Sequence, residues 1–502
     1  MSGAAGWLAL RNMVAIAMST EAVGISGFAA YLPPYRVDLR QWCSWTGTSW
    51  DKVSSVVGTG FRMAGPGQSI YTMAATAALR LMDRYDIDPG RVRFLALGTE
   101  SSTDNSAGAV IVRGMLDLAM QERGVAPLSR HCEVPEFKHA CLGGIYAMKG
   151  ALRFLATEPG DAVGIAISAD VAKYERGSSG EATQGAGAVA VLLEKRPGLL
   201  EVDLAGCGSA SAYRAIDFRK PMVRANGQGS CFRETPVFNG KYSTTCYLDE
   251  AQHAVREMLR RLGRDPLGYF RSVGAVFMHR PYERMPLNAL GFCYLTGLAR
   301  SGAAGQAELA GYCETAGVGI DDVLAEMRAA PDILALVREG GLERDPWPLT
   351  MRLLREFRDQ PLYQELVAAR MRLGARPMRE LGNVYSASLP AWLAAGLEEA
   401  AQSGMDLAGR EVLALGYGSG DAAEAMPMRV VPGWTVAAGR IGFADALEPA
   451  VDLTQDEYVA LHRTGTGPRP LAGHDEFVID RIGTSSSAEF ADEGVEYYRY
   501  CR

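Results

Sequence analysis

A cysteine followed by two glycines is the part of this sequence whose residue types point most directly to chemistry. Cys141 and Leu142 precede the glycine pair, and the apolar residues 145–155 predict a helix directly after it. The first backbone N–H groups of a helix lack internal partners and favour negative charge, so we expect a lowered pKa for this thiol. The glycines leave space for a flat thioester beside the sulfur. Cys141 is therefore a candidate nucleophile, and a buried structural cysteine is the alternative interpretation.

Three apolar runs that predict strands end in groups suited to the same chemistry. Glu100 follows the run 94–98, His279 follows the run 273–278, and a glycine-rich turn at 416–420 follows a third run. Ligands of open α/β sheets bind outside the carboxyl ends of the strands, so we expect these groups to meet at one site. A carboxylate there is a candidate base, and exposed backbone N–H groups of the turn are candidate donors to an oxyanion. Each feature alone is equally typical of a solvated loop or a structural histidine.

The order of these motifs resembles the 3-hydroxy-3-methylglutaryl-CoA synthase family of the thiolase superfamily. The ordered motifs are Gly98-Thr99-Glu100, Ala140-Cys141-x-Gly143-Gly144 and His279-x-Pro281-Tyr282. Further matching segments are 24–33, 168–174, 183–190, 217–221, 240–247, 382–386 and 416–420. The resemblance extends from about Val23 to Arg502.

The resemblance implies a thiolase-like layered αβαβα fold of two similar halves. The alternation of strands and helices by itself predicts only the α/β class. We expect a leader at residues 1–21, in which Met13 or Met18 is the true start, and an N-terminal half with the nucleophile at 22–200. The C-terminal half is expected at 201–502, including a helical insertion at 291–380 whose charge runs form a solvated face.

The activity implied by the resemblance is an acyl transfer with carbon–carbon condensation, without a cofactor or a metal ion. Acetyl-CoA or an acetyl carrier protein acetylates Cys141, and Glu100 removes a proton from the acetyl methyl group. The resulting carbon nucleophile attacks the ketone of a β-keto thioester that His279 orients, and hydrolysis releases the product. The family match assigns further pocket positions to Tyr174, Thr183, Arg284, Asn383 and Ser419.

The acceptor stays open at this stage because the sequence departs from the family pattern at several positions. Leu142 replaces a common Tyr, His139 replaces Asn or Gln, and we expect both to lie against the pocket. Of two positions expected to be basic, Arg284 is present and the other is Asn288, which would weaken binding of nucleotide phosphates. The β-keto thioester is thus presented by CoA, as in mevalonate biosynthesis, or by an acyl carrier protein, as in polyketide β-branching.

Two alternatives of other classes are also considered. A Cys–His thioester hydrolase would use Cys141 and His279 but gives Glu100 no role. A thiolase-fold subunit that is active only with a partner would usually have lost the nucleophile, whereas all three polar groups are present here.

The composition of the chain indicates which binding partners and which cellular compartment to expect. The chain has 502 residues and a net charge of −7, which gives no basic footprint for nucleic acid. Nine cysteines without CxxC pairs indicate a reduced, cytoplasmic protein, and no segment predicts a membrane span. We expect a homodimer that pairs through the strand at 161–168, because Ala162–Ile167 is apolar on both faces and would be an aggregation-prone edge if left open.

Overall fold

The computed structural model of the protein describes residues 21–104, 107–220, 222–224, 230–232, 235–329, 331–341, 345–468 and 473–502. The predicted leader lies outside the described residues except for Glu21. Within the described part of the chain, no helix is long and apolar enough to cross a membrane.

Ten strands form one mixed sheet in the spatial order β12-β13-β14-β8-β1-β7-β6-β4-β5, with β9 paired to β14. Its strands are β1 (Val23–Tyr31), β4 (Val92–Gly98), β5 (Glu136–Phe137), β6 (Val163–Ala172), β7 (Gly185–Lys195), β8 (Leu200–Val202), β9 (Gly208–Ser211), β12 (Ala275–Met278), β13 (Glu411–Gly418) and β14 (Ala422–Val430). Smaller sheets contain β2 (Tyr35–Asp38), β3 (Gly60–Met63), β10 (Met222–Arg224), β11 (Ser230–Phe232), β15 (Val451–Asp452), β16 (Glu476–Ile482) and β17 (Glu496–Cys501).

The helices fall into those that cover the sheet, those of the insertion and short surface turns. The first part of the chain contains α1 (Leu39–Thr46), α2 (Trp50–Val56), α3 (Ile70–Arg84), α4 (Gly108–Glu122), α5 (Gly143–Leu155), α6 (Gly240–Leu262) and α7 (Pro266–Ser272). The insertion contains α8 (Arg284–Leu298), α9 (Gly302–Ala316), α10 (Ile320–Arg328), α11 (Ile333–Gly340), α12 (Pro348–Arg358), α13 (Pro361–Tyr363) with a π-helical turn (Gln364–Ala368), and α14 (Ala375–Met378). The remainder contains α15 (Ser388–Gln402), α16 (Thr435–Ala438), α17 (Phe443–Ala446) and α18 (Gln455–Thr464).

These elements stack in the five layers that the resemblance implied. Helices α3 and α4 cover one face of β1, β4, β6 and β7, while α5 and α15 cover the other face of this half. Helix α15 also packs on β12 and β13, and α6 packs on β9 and β14 at the outside of the second half. Along β6, Ile165 and Ile167 face α3 whereas Ala166 faces α5, so both faces of the strand are buried.

The two halves are joined by hydrogen bonds across β8. This strand begins at Leu200, at the predicted boundary, and pairs with both β1 and β14. In each half a helix, α5 or α15, leads into a strand that pairs antiparallel with the next strand along the chain. The division at residue 200 stays a prediction, because the main sheet itself is continuous through β8.

The predicted dimer strand is not an edge, and this part of the prediction is wrong. Strand β6 pairs in parallel with β4 and antiparallel with β7, so all of its ladder partners lie within the chain. Apolar residues on both of its faces reflect burial between helix layers and not a neighbouring protomer. The sheet ends instead at β5, a two-residue strand that pairs with β4.

The glycine-rich turn predicted at 416–420 is shorter in the structure. Gly416–Gly418 extends β13 and pairs with the start of β14, so only residues 419–421 form the turn. Helix α6 begins at Gly240, since packing of Tyr242 and Cys246 in the core outweighs the low helix propensity of the Ser-Thr-Thr run. The insertion is helical as predicted, and in α12 Arg355 and Glu356 are exposed while Leu353, Leu354 and Phe357 are buried.

The glycines around Cys141 serve close packing of the helix that follows it. A Cβ atom on Gly98, at the end of β4, would lie 2.4 Å from the backbone nitrogen of Gly144 in α5. A Cβ on Gly144 would lie 1.9 Å from the Oγ of Ser168 in β6. These approaches bring the first turn of α5 onto both strands. This observed reason differs from the predicted one, which was access of a thioester to the sulfur.

We therefore expect Gly98→Ala to destabilise the protein by about 1–3 kcal/mol, since the new methyl group must displace the backbone of α5. The matched control is Gly114→Ala in α4, where an added Cβ meets no atom within 4 Å. That change should be neutral or stabilising by about 0.5–1 kcal/mol, because alanine is the better helix former. Urea unfolding of both variants measures this difference in stability. Equal unfolding midpoints for the two variants would contradict the close-packing account.

Candidate active site

The predicted nucleophile and base meet directly. The Sγ of Cys141 donates a hydrogen bond of 3.7 Å to Oε2 of Glu100. Glu100 follows β4 and Cys141 precedes α5, so the close packing of these two elements sets the distance between their side chains. Both side chains are nearly inaccessible to solvent: Cys141 is 7% exposed and the side chain of Glu100 is 8% exposed. A thiol and a carboxylate are thus held together in an apolar environment.

Burial raises the pKa of Glu100 to about 7, because desolvation penalises its charged form. Lys220 opposes this shift: its Nζ lies 3.5 Å from Oε1 of Glu100. The nearby carboxylate of Asp170 adds to the raised pKa. Glu100 therefore exchanges a proton near neutral pH, which is the property expected of a general base or acid in the reaction.

The pKa of Cys141 is raised well above its usual value, which contradicts the predicted lowering. Burial is the main cause, and the negative charges of Glu100 and Asp170 act in the same direction. A helix N-terminus contributes roughly 0.3–1 kcal/mol, which is less than one pKa unit. Desolvation together with a carboxylate in contact shifts a pKa by several units. In the free enzyme the sulfur is consequently a thiol that donates to Glu100.

Asp170 fixes the backbone that carries Glu100. Its Oδ1 accepts hydrogen bonds from the backbone nitrogens of Glu100 (2.8 Å) and Ser101 (2.9 Å), and from the hydroxyl of Thr99 (3.1 Å). Its Oδ2 accepts from the backbone nitrogen of Ser386 at 2.9 Å. Asp170 was not predicted as a functional residue. The available signal was a carboxylate in the mainly apolar, almost wholly buried strand β6, which is unfavourable unless several donors compensate it.

Two residues with left-handed backbone conformation lie beside the thiol. Ala140, which precedes Cys141, has φ +40°, and Tyr385 has φ +44°. Non-glycine residues at such angles carry roughly 1–3 kcal/mol of strain and persist only where surrounding contacts hold them. Tyr385 is fully buried, and Cys141 packs in the same cluster with it. The strain is thus located at the turn that presents the sulfur to the cavity.

His279 lies in the same cavity as Cys141, and two hydrogen bonds fix its backbone. Its N–H donates to the carbonyl of Leu415 at 2.7 Å, and its carbonyl accepts from the hydroxyl of Tyr247 at 2.8 Å. The imidazole stacks on the ring of Tyr417, with centroids 6.4 Å apart. Burial lowers the pKa of His279 to about 3, so the ring is neutral and has one N–H donor.

The cavity has a volume of about 550 Å³ and is mainly apolar. Near the thiol it is bounded by aromatic rings, which belong to Tyr174, Phe218, Phe238 and Tyr385. Four of the predicted pocket residues line it, namely Tyr174, Thr183, Asn383 and Ser419. Two of these also hold turns, since the Thr183 hydroxyl donates to the Gly180 carbonyl and the Asn383 side chain accepts from the Tyr385 nitrogen.

Arg284 is not among the residues that line the cavity. It is exposed at the start of α8, next to the cavity residue Met285. Asn288, one turn later, accepts a hydrogen bond of 2.7 Å from Arg358 of the insertion. The position where a second basic residue was expected is therefore occupied by an amide that binds an arginine from elsewhere in the chain.

Leu142 and His139 do not line the cavity, so the expectation that they lie against the pocket is wrong. Leu142 is fully buried against Gly416 in β13, and His139 lies against Gly418 with its ring edge-on to Tyr146. The turn before α5 points these side chains toward the second half of the fold.

A buried polar network lies behind His279. The hydroxyl of Tyr417 is 3.0 Å from both Asp217 and Asp421, and Ser243 also donates to Asp217. Burial and the neighbouring Asp217 raise the pKa of Asp421 to about 9. The guanidinium of Arg214 is 3.6 Å from Asp421. Arg214 also forms ion pairs with Asp249 and Glu250, so this arginine is shared among several buried carboxylates beneath the cavity wall.

Comparison with known proteins finds hydroxymethylglutaryl-CoA synthases among the similar sequences and structures. A family model described as hydroxymethylglutaryl-coenzyme A synthase, N-terminal, matches residues 19–197, which include Glu100 and Cys141. The hydroxymethylglutaryl-CoA synthase of Haloferax volcanii is 28% identical over 440 residues, covering 85% of this chain and 86% of that protein. Hydroxymethylglutaryl-CoA synthase A of Dictyostelium discoideum is 26% identical over 416 residues, covering 82% and 76%. The chain is thus similar over most of its length to proteins named hydroxymethylglutaryl-CoA synthase.

Solved structures of hydroxymethylglutaryl synthases share the fold over nearly the whole chain. The structure of MvaS in complex with 3-hydroxy-3-methylglutaryl coenzyme A has a TM-score of 0.73 at 25% identity and covers 96% of this chain and all of that chain. The HMG synthase of the curacin biosynthetic pathway, in complex with holo donor-ACP, has a TM-score of 0.69 at 20% identity with the same coverage. At that identity the second likeness concerns the fold alone.

The raised pKa of Cys141 predicts slow alkylation of this thiol by iodoacetamide at neutral pH, with a rate that rises only in alkaline solution. Glu100→Gln removes the neighbouring charge and keeps the shape, so the Cys141 pKa falls and the rise shifts to lower pH. Peptide mass spectrometry across pH measures both, with the partly exposed Cys501 as an internal reference. A wild-type rate that already levels off below pH 7 would contradict the assignment.

Proposed function

We propose that this protein condenses an acetyl group with a β-keto thioester through an acetyl-cysteine intermediate. The observation that carries the proposal is the 3.7 Å contact between Cys141 and Glu100 in the cavity that also contains His279. The three groups supply a nucleophile, a base of suitable pKa and a neutral donor. Similarity to proteins named hydroxymethylglutaryl-CoA synthase supports the same reaction class.

In the first step Cys141 attacks the carbonyl carbon of an acetyl thioester. The new C–S bond replaces the bond to the donor thiol, which leaves with the proton that Cys141 loses. We assign Glu100 as the group nearest to that proton, because it already accepts the S–H hydrogen bond. The oxyanion is assigned to backbone N–H groups of Cys141 and Ser419, two residues of the same cavity wall.

In the second step Glu100 removes a proton from the acetyl methyl group, and the carbon nucleophile attacks the ketone of the second substrate. Glu100 then returns the proton to the resulting tertiary alkoxide. A pKa of about 7 suits both transfers, since the ionised and neutral forms are of similar energy at neutral pH. His279 donates its single N–H to the ketone or thioester oxygen of the acceptor. Water finally cleaves the Cys141 thioester to release a carboxylate and restore the thiol.

The geometry favours condensation over the two other classes. A Cys–His hydrolase requires the histidine as the partner of the thiol, whereas Cys141 donates to Glu100. In an inactive subunit nothing would maintain a buried carboxylate with a pKa near 7 beside a thiol. Release of free acid without carbon–carbon bond formation would nevertheless identify a hydrolase.

Acetyl and β-keto groups reach Cys141 on a pantetheine arm, carried by CoA or by an acyl carrier protein. The mainly apolar cavity accepts such an arm, and Lys52 and Lys241 are among its lining residues. Arg284 lies exposed beside this lining and is our candidate contact for a phosphate of either carrier. Measuring turnover with both forms of each substrate distinguishes the two carriers.

We also propose a homodimer that pairs at β5. Among the described residues this strand has a sheet neighbour on one side only, and it directly precedes the turn that carries Cys141. An open edge invites pairing with another chain, and a twofold partner closes it. Light scattering measures the assembly, and a particle of one 53.9 kDa chain at micromolar concentration would contradict this proposal.

Glu100→Ala should separate the two half-reactions. Acetyl-Cys141 should still accumulate on incubation with acetyl-CoA, because loss of the carboxylate lowers the pKa of the thiol and so offsets the loss of its hydrogen-bond acceptor in the first step. Condensation should fall by at least about 100-fold, the usual contribution of a general base. Peptide mass spectrometry measures the first step, and product formation from the preformed acetyl-enzyme measures the second.

His279→Ala is the contrasting variant. It should also form acetyl-Cys141, but it should raise the KM for the β-keto thioester, because its proposed partner is the acceptor and not the acetyl group. If Glu100→Ala lost both half-reactions equally, the assignment of Glu100 as the base for carbon would be wrong. An unchanged acceptor KM and condensation rate in His279→Ala would contradict the proposed hydrogen bond from His279 to the acceptor.

A further inference from the structure

Two charged residues near Glu100 shift its pKa in opposite directions. Asp170 is a buried carboxylate that raises the pKa of Glu100, and Lys220 is a cation that lowers it. Within the described part of the chain, Lys220 is the cation that forms an ion pair with Glu100, at 3.5 Å from Oε1. The second oxygen, Oε2, accepts from Cys141. The two oxygens of Glu100 are therefore assigned to different partners.

Lys220 is held in place by contacts on both sides. The backbone of the preceding residue, Arg219, exchanges two hydrogen bonds with Val237, of 3.1 Å and 2.7 Å. Asp217, at the start of the same segment, is completely buried in the network behind His279. The ammonium group lies 5.1 Å from the centre of the Tyr385 ring, and the side chain is only 18% exposed.

Acetylation changes the environment of Glu100. Once Cys141 carries an acetyl group, the sulfur has no proton, so the hydrogen bond to Oε2 is lost. The carboxylate must be ionised at this stage, because only the ionised form removes a proton from the methyl group. Burial and Asp170 both favour the neutral acid. Lys220 is then the remaining charged partner in contact that favours the ionised form.

We propose that Lys220 is a positioning residue that keeps Glu100 ionised in the acetyl-enzyme and holds Oε1, so that Oε2 points at the acetyl group. This inference rests on the proposed function. It assigns Lys220 an effect on carbon–carbon bond formation and not on attachment of the acetyl group. The ammonium group contacts Oε1 of Glu100 and acts through that carboxylate.

The test compares Lys220→Met, Lys220→Arg and a control, Arg219→Met, which removes an adjacent exposed cation. Acetyl-Cys141 is preformed, and the single-turnover rate of condensation is followed from pH 5 to pH 9. In wild type the rate falls as pH drops and Glu100 takes up a proton. Loss of Lys220 makes protonation easier, so this acid limb should move to higher pH by about one unit, the lower end of the effect of a contacting charge.

At pH 7 the Lys220→Met rate should accordingly be about 5-fold below wild type, because a rise of one unit from a pKa of about 7 lowers the ionised fraction from about one half to about one tenth. The difference should approach about 10-fold at pH 5, and the rate should recover as pH rises. Lys220→Arg keeps the charge and should leave the acid limb within about 0.5 unit of wild type. Arg219→Met should match wild type. Full acetylation of Cys141 is expected in every variant.

An acid limb at the wild-type position in Lys220→Met, with rates lowered equally at all pH values, would overturn the inference. An equal shift in Arg219→Met would do the same, since it would indicate a general effect of surface charge. If Lys220→Met does not fold, Lys220→Gln is measured instead. Lys220→Arg still tests whether a cation at this position keeps the acid limb of the pH–rate profile at its wild-type position. Failure of wild type to form acetyl-Cys141 would refute the proposed function itself, which this experiment thereby distinguishes from failure of the role of Lys220.

Discussion

The arrangement of the site depends on one buried carboxylate held against a thiol. An isolated buried charge is strongly unfavourable, and a carboxyl group in apolar surroundings normally takes up a proton. Glu100 is balanced between these states: burial and Asp170 favour the acid, whereas Lys220 favours the ionised form. The balance gives a base that exchanges protons at neutral pH, while the same charge keeps Cys141 in its thiol form until a thioester arrives.

The fold supplies this balance through close contacts between elements. The glycine contact between β4 and α5 sets the separation of Glu100 and Cys141. Asp170 then uses both of its oxygens to join the turn after β4 to the segment that contains Ser386. That segment also holds Tyr385, whose ring bounds the thiol and faces the ammonium of Lys220. A local change in any of these contacts should reach the chemistry through the position or charge of Glu100.

Much of the site was predictable because its reactive groups stand at the ends of apolar strands. Glu100 and His279 follow β4 and β12, and Cys141 precedes α5, so spacing alone singled them out before the resemblance named a reaction. The layered arrangement came from the resemblance, since periodicity gave only the α/β class. Asp170 and Lys220 were missed as functional residues because their roles arise from contacts across about 70 and 120 positions of the chain, which no local pattern records.

The errors have related physical causes. The pKa of Cys141 was predicted from the helix terminus, yet burial and Glu100 outweigh that effect. The dimer strand was predicted from apolar residues on both faces of β6, a pattern that burial between two helix layers produces equally well. The turn after β13 was predicted too long because glycine at 416 and 418 indicated a turn, whereas cross-strand pairing keeps both residues extended. In each case a long-range contact decided against the local signal.

The most direct test of the central claim is a single-turnover experiment on the wild-type protein. Acetyl-CoA is added first, and peptide mass spectrometry locates the acetyl group; a β-keto thioester is then added and the fate of that group is followed. The account predicts stoichiometric acetylation at Cys141, followed by its loss with formation of a tertiary alcohol that contains the acetyl carbons as a new carboxylate-bearing arm. Acetyl transfer to a different cysteine, or release of acetate without a new carbon–carbon bond, would contradict it.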